Sequence, residues 1–194
     1  SMEDSPSGQR WSHNVLPGLY HTAHIFAFLS FADSFPEDPL APEARRQARI
    51  FGDWLVQNTL PEDAVYSRFP FSLVRDGTLE EVEYGTTVTR AGRVGIAMLA
   101  LHKVFGDDAY LEYARHLADG LAKFQRDDGS WPFRVKAQDG TVLWDYTSNA
   151  IEPARLFGLL EEIAPNDTYR NAREKAIEWT LEGPVRTNRW ESMY

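Results

Sequence analysis

Apolar positions along the chain fall into two alternating kinds of helical segment. From Ala91 to Leu101 the residues are apolar on nearly every side and rich in small side chains, as in a helix packed on several faces. From Tyr110 to Phe124 apolar groups recur at spacings of three and four with charges between them, giving one buried stripe and one wet face. The first pattern predicts an inner helix and the second an outer one. The pair returns as an inner helix from Ile151 to Ile163 and an outer helix from Thr168 to Leu181, with Asp167 placed to cap the latter. A weaker copy opens the chain, with an apolar helix from Gly18 to about Ala32 and a second helix from Pro42 to about Asn58. Between the outer and inner helices, two β-prone runs from Trp131 to Val135 and from Thr141 to Tyr146 flank Gln138, Asp139 and Gly140, which predicts a β-hairpin.

These segments form a repeat. Phe69-Pro70-Phe71, Asp76-Gly77-Thr78, Tyr84 and Phe105-Gly106-Asp107-Asp108-Ala109-Tyr110 return in the same order as Trp131-Pro132-Phe133, Asp139-Gly140-Thr141, Tyr146 and Ala164-Pro165-Asn166-Asp167-Thr168-Tyr169. The copies lie about sixty residues apart, the length of one helical hairpin with a two-stranded excursion. The expected organisation is three helical hairpins, about residues 11–60, 61–125 and 126–182, after a disordered or tag-derived start at 1–10. Residues 183–194 then enter the position of a further hairpin. Inner helices that are apolar all round need neighbours on both sides, so the expectation is a mainly α, (α/α) toroid or incomplete toroid. Either a continuation of the chain or pairing as a homodimer would complete it.

Composition sets bounds. With 194 residues, 43% of them hydrophobic, the chain can bury a substantial core. A net charge of −9 argues against a nonspecific nucleic-acid binder, which needs clustered Lys and Arg. The sequence has no apolar run of roughly eighteen residues that would read as a membrane span. No cysteine is present, which excludes disulfides and thiolate metal sites. No His-Glu-x-x-His or calcium-loop spacing occurs either, so neither a metal nor a cofactor is assigned. The opening Ser1-Met2 reads as a tag-cleavage scar, which leaves the native compartment open.

The run from Leu121 to Trp131, with Gln125, Gly129 and Trp131 in order, resembles the QW motif of squalene-cyclase-type α/α toroids. Asp-Gly-Ser-Trp-Pro turns of the kind at 128–132 also resemble those of six-hairpin-like α/α-toroid polysaccharide lyases and glycoside hydrolases. The motif marks architecture: Gln125 can tie one outer helix to the next repeat, Gly129 allows the turn, and Trp131 covers the seam. Terpenoid cyclisation meets an obstacle, because the Asp-x-Asp-Asp acid of such cyclases is absent and Asp127-Asp128 lies in the turn. The glycan-processing resemblance implies a carbohydrate ligand bound at the mouth formed by the segments that precede each inner helix.

At that mouth Trp144, Asp145, Tyr146, Asn149, Glu152 and Arg155 concentrate aromatic, acidic, amide and cationic groups. An aromatic face suits stacking on a sugar ring, Asp145, Tyr146 or Glu152 can transfer protons, and Asn149 or Arg155 can bind a carboxylate or its enolate. The structural alternative is that Ser148 or Asn149 caps the helix while Glu152 and Arg155 pair locally. In the preceding hairpin Tyr84 aligns with Tyr146, either as a packing group or as a second rim residue. Arg90 and Arg93 share a helix face and need anionic partners, either Asp145 and Glu152 or a substrate carboxylate. His21 and His24 share a face of the first helix and are candidate bases or hydrogen-bonded core groups. Trp190 is a further sugar platform if a next hairpin exists. Two functional classes follow: an enzyme acting on an oligo- or polysaccharide, including uronate-containing ones, by lyase or hydrolase chemistry, or a noncatalytic toroid that binds a glycan or another protein.

Overall fold

A computed structural model describes residues 16–74, 83–147 and 149–189. Six helices alternate in pairs with short strands: α1 (Pro17–Ser34), α2 (Ala41–Gln57), β1 (Ser72–Val74), β2 (Glu83–Thr87), α3 (Arg90–Phe105), α4 (Asp108–Lys123), β3 (Pro132–Lys136), β4 (Val142–Thr147), α5 (Ile151–Ile163) and α6 (Asp167–Thr180). Each consecutive pair of helices packs as a hairpin, and α1, α3 and α5 lie side by side as one layer with α3 in the middle. The other layer holds α2, α4 and α6. The protein is therefore mainly helical with a small antiparallel sheet. No helix is long and apolar enough to cross a membrane among the described residues.

Local chemistry explains where the helices begin. Asp107 accepts a hydrogen bond from the amide of Ala109 at the start of α4. Asn166 accepts from the amides of Thr168 and Tyr169 at the start of α6. Both side chains satisfy amides that the first turn leaves without partners. The cap of α6 is thus Asn166 rather than Asp167, which is the first helical residue; Asn166 is also the repeat equivalent of Asp107. At the far end, the helix continues past Thr180 through a π-helical turn from Leu181 to Val185 that contains Pro184. Proline has no N–H for an α-helical bond, and the widened turn takes up that loss.

The repeat also dictates outer-layer contacts. Tyr110 at the start of α4 donates to Asp53 of α2 (2.5 Å), and Tyr169 at the start of α6 donates to Asp119 of α4 (2.6 Å). In the second and third hairpins one tyrosine therefore bonds a carboxylate of the preceding outer helix. Beneath them lies one core, in which Trp131, Tyr113, Phe157, Met98 and Leu101 are buried. Each such side chain contributes roughly 1.5–3 kcal/mol of apolar transfer.

The predicted hairpin is β3 and β4. A second hairpin, β1 and β2, stands at the equivalent place in the preceding repeat, and the two join through β2 and β3 into one antiparallel sheet of order β1-β2-β3-β4. Gly85 pairs with Lys136, Thr86 with Val135 and Thr87 with Arg134 across that junction. The register of β3 on β4 shifts around Arg134. Sheet-forming runs from separate repeats can pair because α3 and α5 start side by side. A Cβ built on Gly92 would lie 2.6 Å from the nitrogen of Pro153.

Candidate functional site

The inner helices all start at the sheet end of the molecule. Gly18 of α1 lies against Pro70 and Val94, and Gly92 of α3 lies against Glu152 and Pro153 of α5. The positive ends of three helix dipoles are thus gathered beside the strands.

Next to them is a cavity of about 220 Å³. Its apolar wall includes Leu19, Phe71, Phe133 and Trp144, and its polar groups come from Ser72, Thr87, Arg90 and Arg134. Phe133 and Trp144 stack on each other, with centroids 5.8 Å apart and planes 11° from parallel. They come from neighbouring strands, so the sheet presents them as one surface. Arg134 is fully buried and donates to both the hydroxyl and the carbonyl of Ser72, joining β3 to β1 across β2. A volume below the roughly 300–1,000 Å³ of drug-sized sites has room for a single ring.

Beside the cavity a carboxylate lies between two guanidiniums. Glu152 Oε1 is 3.4 Å from Nη1 of Arg90 and 3.3 Å from Nη1 of Arg93. Arg93 also donates through Nε to the Thr22 hydroxyl of α1 (2.9 Å), and its guanidinium lies 5.7 Å from the Phe26 ring centre. Glu152 therefore joins α5 to α3, and Arg93 joins α3 to α1. Of the two arginines, Arg90 lines the cavity.

The sequence candidates divide by position. Trp144 and Arg90 line the cavity, with Arg93 and Glu152 behind them. Asn149 accepts from the amide of Ile151 (3.0 Å), which ties down the turn before α5. Arg155 is exposed on α5, and Glu152 pairs with the arginines of α3. Tyr84 is 44% exposed on β2, tilted against Phe71 at 6.1 Å; partial burial raises its phenol pKa. The side chains of Asp145 and Tyr146 lie outside the described part of the structure, as do Ser148 and Trp190.

His21 and His24 pack against α2. His21 stacks on Trp54 at 4.4 Å and meets Phe51 edge-on at 5.2 Å, and His24 stacks on Phe51 at 5.0 Å. His24 Nδ1 hydrogen-bonds the Tyr20 carbonyl at 2.7 Å. His21 Nδ1 is buried and has no hydrogen-bond partner of ordinary geometry among the described residues. Burial lowers the pKa of His21, and the nearby His24 adds to the effect against a smaller opposing influence of the Pro17 carbonyl. The ladder continues from Trp54 to Phe71 at 6.1 Å, so these rings support the cavity wall from behind.

Sequence reasoning did not single out Phe71, Ser72, Thr87, Phe133 or Arg134 as site residues. A signal was present, since Pro70-Phe71 and Pro132-Phe133 are the same step of two successive repeats.

No family model matches the chain, and a search of curated proteins finds no match. Among solved structures it is similar to a D-mannose isomerase, with a TM-score of 0.59, over 92% of this chain and 50% of that one. Sequence identity is 13%. The likeness is one of fold. The chain spans half the length of that isomerase.

Proposed function

We propose that the protein belongs to a carbohydrate-processing α/α toroid and that the cavity beside Trp144 receives one sugar residue. The observation that carries this reading is the shared surface of Phe133 and Trp144 in a cavity that Arg90, Ser72 and Thr87 also line. Aromatic faces take the C–H face of a sugar, while hydroxyls and guanidinium take its oxygens. The fold of a sugar isomerase gives independent support.

The chemistry we favour begins with removal of a proton next to a carbonyl carbon. Elimination from a uronate and isomerisation of a sugar share that step, and both need a cation near the oxygen that becomes negative. The cavity wall supplies two guanidiniums, Arg90 and Arg134, for that role. Asp145 and Tyr146, adjacent to Trp144 in sequence, are the proposed proton-transfer groups. Glu152, whose Oε1 faces two guanidiniums, positions Arg90 and Arg93. Hydrolysis by Asp145 with Glu152 is less well supported, since Glu152 is engaged by those arginines.

Titration of tryptophan fluorescence with a panel of mono- and oligosaccharides tests binding, with Trp144→Ala as control. Loss of a sugar C–H proton signal in heavy water tests the chemistry. Saturable quenching that Trp144→Ala abolishes is expected, with exchange for the bound sugar. Binding without exchange would make the protein a noncatalytic glycan binder, and no binding across the panel would overturn the reading.

A further inference from the structure

We infer that the sugar bound in this cavity carries an anionic substituent, a carboxylate or a phosphoryl group, held by Arg90. This rests on the reading of the cavity as a sugar site and deepens it.

The first ground is local charge balance. Arg90 and Arg93 share one described carboxylate, Glu152, and both reach the same oxygen of it, Oε1. Two cations on one anion leave a formal excess of one positive charge at a cluster whose members are only about one-sixth to one-third exposed. The side-chain exposures are 17% for Glu152, 29% for Arg93 and 30% for Arg90. Incompletely neutralised guanidinium groups in a partly buried setting are costly unless an anion completes them.

The second ground is where the excess falls. Arg93 is further engaged through Nε by the Thr22 hydroxyl and through its face by the Phe26 ring, so it is held between α1 and Glu152. Among the described residues Arg90 has long contacts to Glu152, 3.4 and 3.5 Å to its two oxygens, and it lines the cavity. A planar guanidinium offers paired donors that match a carboxylate or phosphoryl group.

The third ground is the surrounding field. The start of α1 at Leu16, Gly18 and Leu19 lines the same cavity, and α3 begins at Arg90 itself. Both helices present the positive ends of their dipoles there. The whole chain carries a net charge of −9, so this cationic mouth is a local feature against an acidic background. Such a background repels anions in general, and a site that takes an anion must supply the attraction itself. The aromatic wall then selects anions that bring a ring.

The test compares binding of a methyl glucuronoside, a hexose phosphate, inorganic phosphate and the neutral methyl glucoside to the whole chain by calorimetry, at low and high salt. At least one anionic sugar is expected to bind about ten-fold or more tightly than the neutral one. The preference should fall with salt and be lost in Arg90→Gln. Arg90→Lys, which keeps the charge and loses the fork, should retain only part of it and serves if Arg90→Gln does not fold. Inorganic phosphate binding more weakly than the sugar phosphate would show that the ring contributes. If the neutral glucoside binds as tightly as both anionic sugars, the inference is overturned while the sugar-site reading stands. If no sugar binds and only inorganic phosphate does, both fail.

Discussion

Gln125 donates its side-chain amide to the backbone carbonyl of Ala172, 2.8 Å away on the next outer helix, and also reaches the Gly129 carbonyl at 3.1 Å. Six residues on, the fully buried Trp131 donates its indole N–H to the Leu121 carbonyl at 2.9 Å. The turn between them therefore holds the second hairpin to the third. Gln125→Leu removes both donations, while the Ala172 carbonyl keeps its place in the ladder of α6, and is expected to cost about 0.5–1.5 kcal/mol in urea unfolding. Gly129 has a φ of +90°, and a Cβ there would lie 2.3 Å from the Lys175 carbonyl oxygen. Gly129→Ala should therefore be the more damaging change. Equal midpoints for Gly129→Ala and the parent would contradict this packing of the turn on α6.

His21 gives the fold a pH dependence of defined sign. Its pKa in the folded state lies below the ordinary 6.5, because burial among Trp54 and Phe51 disfavours the charged ring. The unfolded chain thus takes up this proton first as the pH drops. Stability is unaffected by this group above pH 6.5 and declines as the pH falls from there toward the folded value. His21→Phe, which keeps a ring in the ladder, should flatten that decline relative to the parent when unfolding midpoints are compared on either side of pH 6.5. An unchanged slope in the variant would locate the effect elsewhere.

Glu152→Gln removes the carboxylate between Arg90 and Arg93 and leaves the two guanidiniums facing each other. The expected loss is about 1–3 kcal/mol, from a pair that is partly but not wholly buried. Salt screens the resulting repulsion, so the variant should recover more stability than the parent as ionic strength rises. Added phosphate should also raise its thermal midpoint more than it raises that of the parent. A variant as stable as the parent at low salt would show that the arginines do not depend on Glu152.

The helical hairpins were legible because inner and outer helices carry different apolar periodicities; the helix from Ile151 to Ile163 has the bounds expected of it. What single-helix patterns could not show is which strands pair between repeats. The link between Thr87 and Arg134, and with it the placement of Phe71 and Phe133 on one cavity, comes from close approach of α3 and α5. The repeat itself held the missing information. Arg90 and Glu152 are 62 positions apart, as are Ser72 and Arg134, and each is a pair of equivalent residues in adjacent repeats that bond one another. Equivalent positions in stacked units are spatial neighbours, so complementary residues at one repeat length are contact candidates. His21 and His24 show the opposite case. Their spacing fits either bases or packing groups, and only the facing rings of α2 distinguish these uses.

Gly92 connects the helical packing to the site. A Cβ at this position would lie 2.6 Å from the Pro153 nitrogen, 2.7 Å from the Glu152 carbonyl carbon and 2.9 Å from the Pro153 Cα. All three are backbone atoms, so no side-chain rotation relieves the overlap and α5 must move away from α3. Such overpacking typically costs about 1–3 kcal/mol. The displacement also carries Glu152 away from Arg90 and Arg93, whose contacts at 3.3 and 3.4 Å already have little reach to spare. Gly92→Ala should therefore lower the urea midpoint and, in protein that remains folded, mimic the Glu152→Gln response to salt. Gly95→Ala is the matched control, because a Cβ there meets only the side chain of Leu156, with its nearest methyl at 2.5 Å. The other Leu156 methyl is at 2.9 Å and the side chain is fully buried, so this variant also loses stability, but no backbone atom of α5 is met and the salt response should stay at its parental level. If both variants shift the salt response equally, the helix spacing at Gly92 does not set the geometry of the arginine cluster.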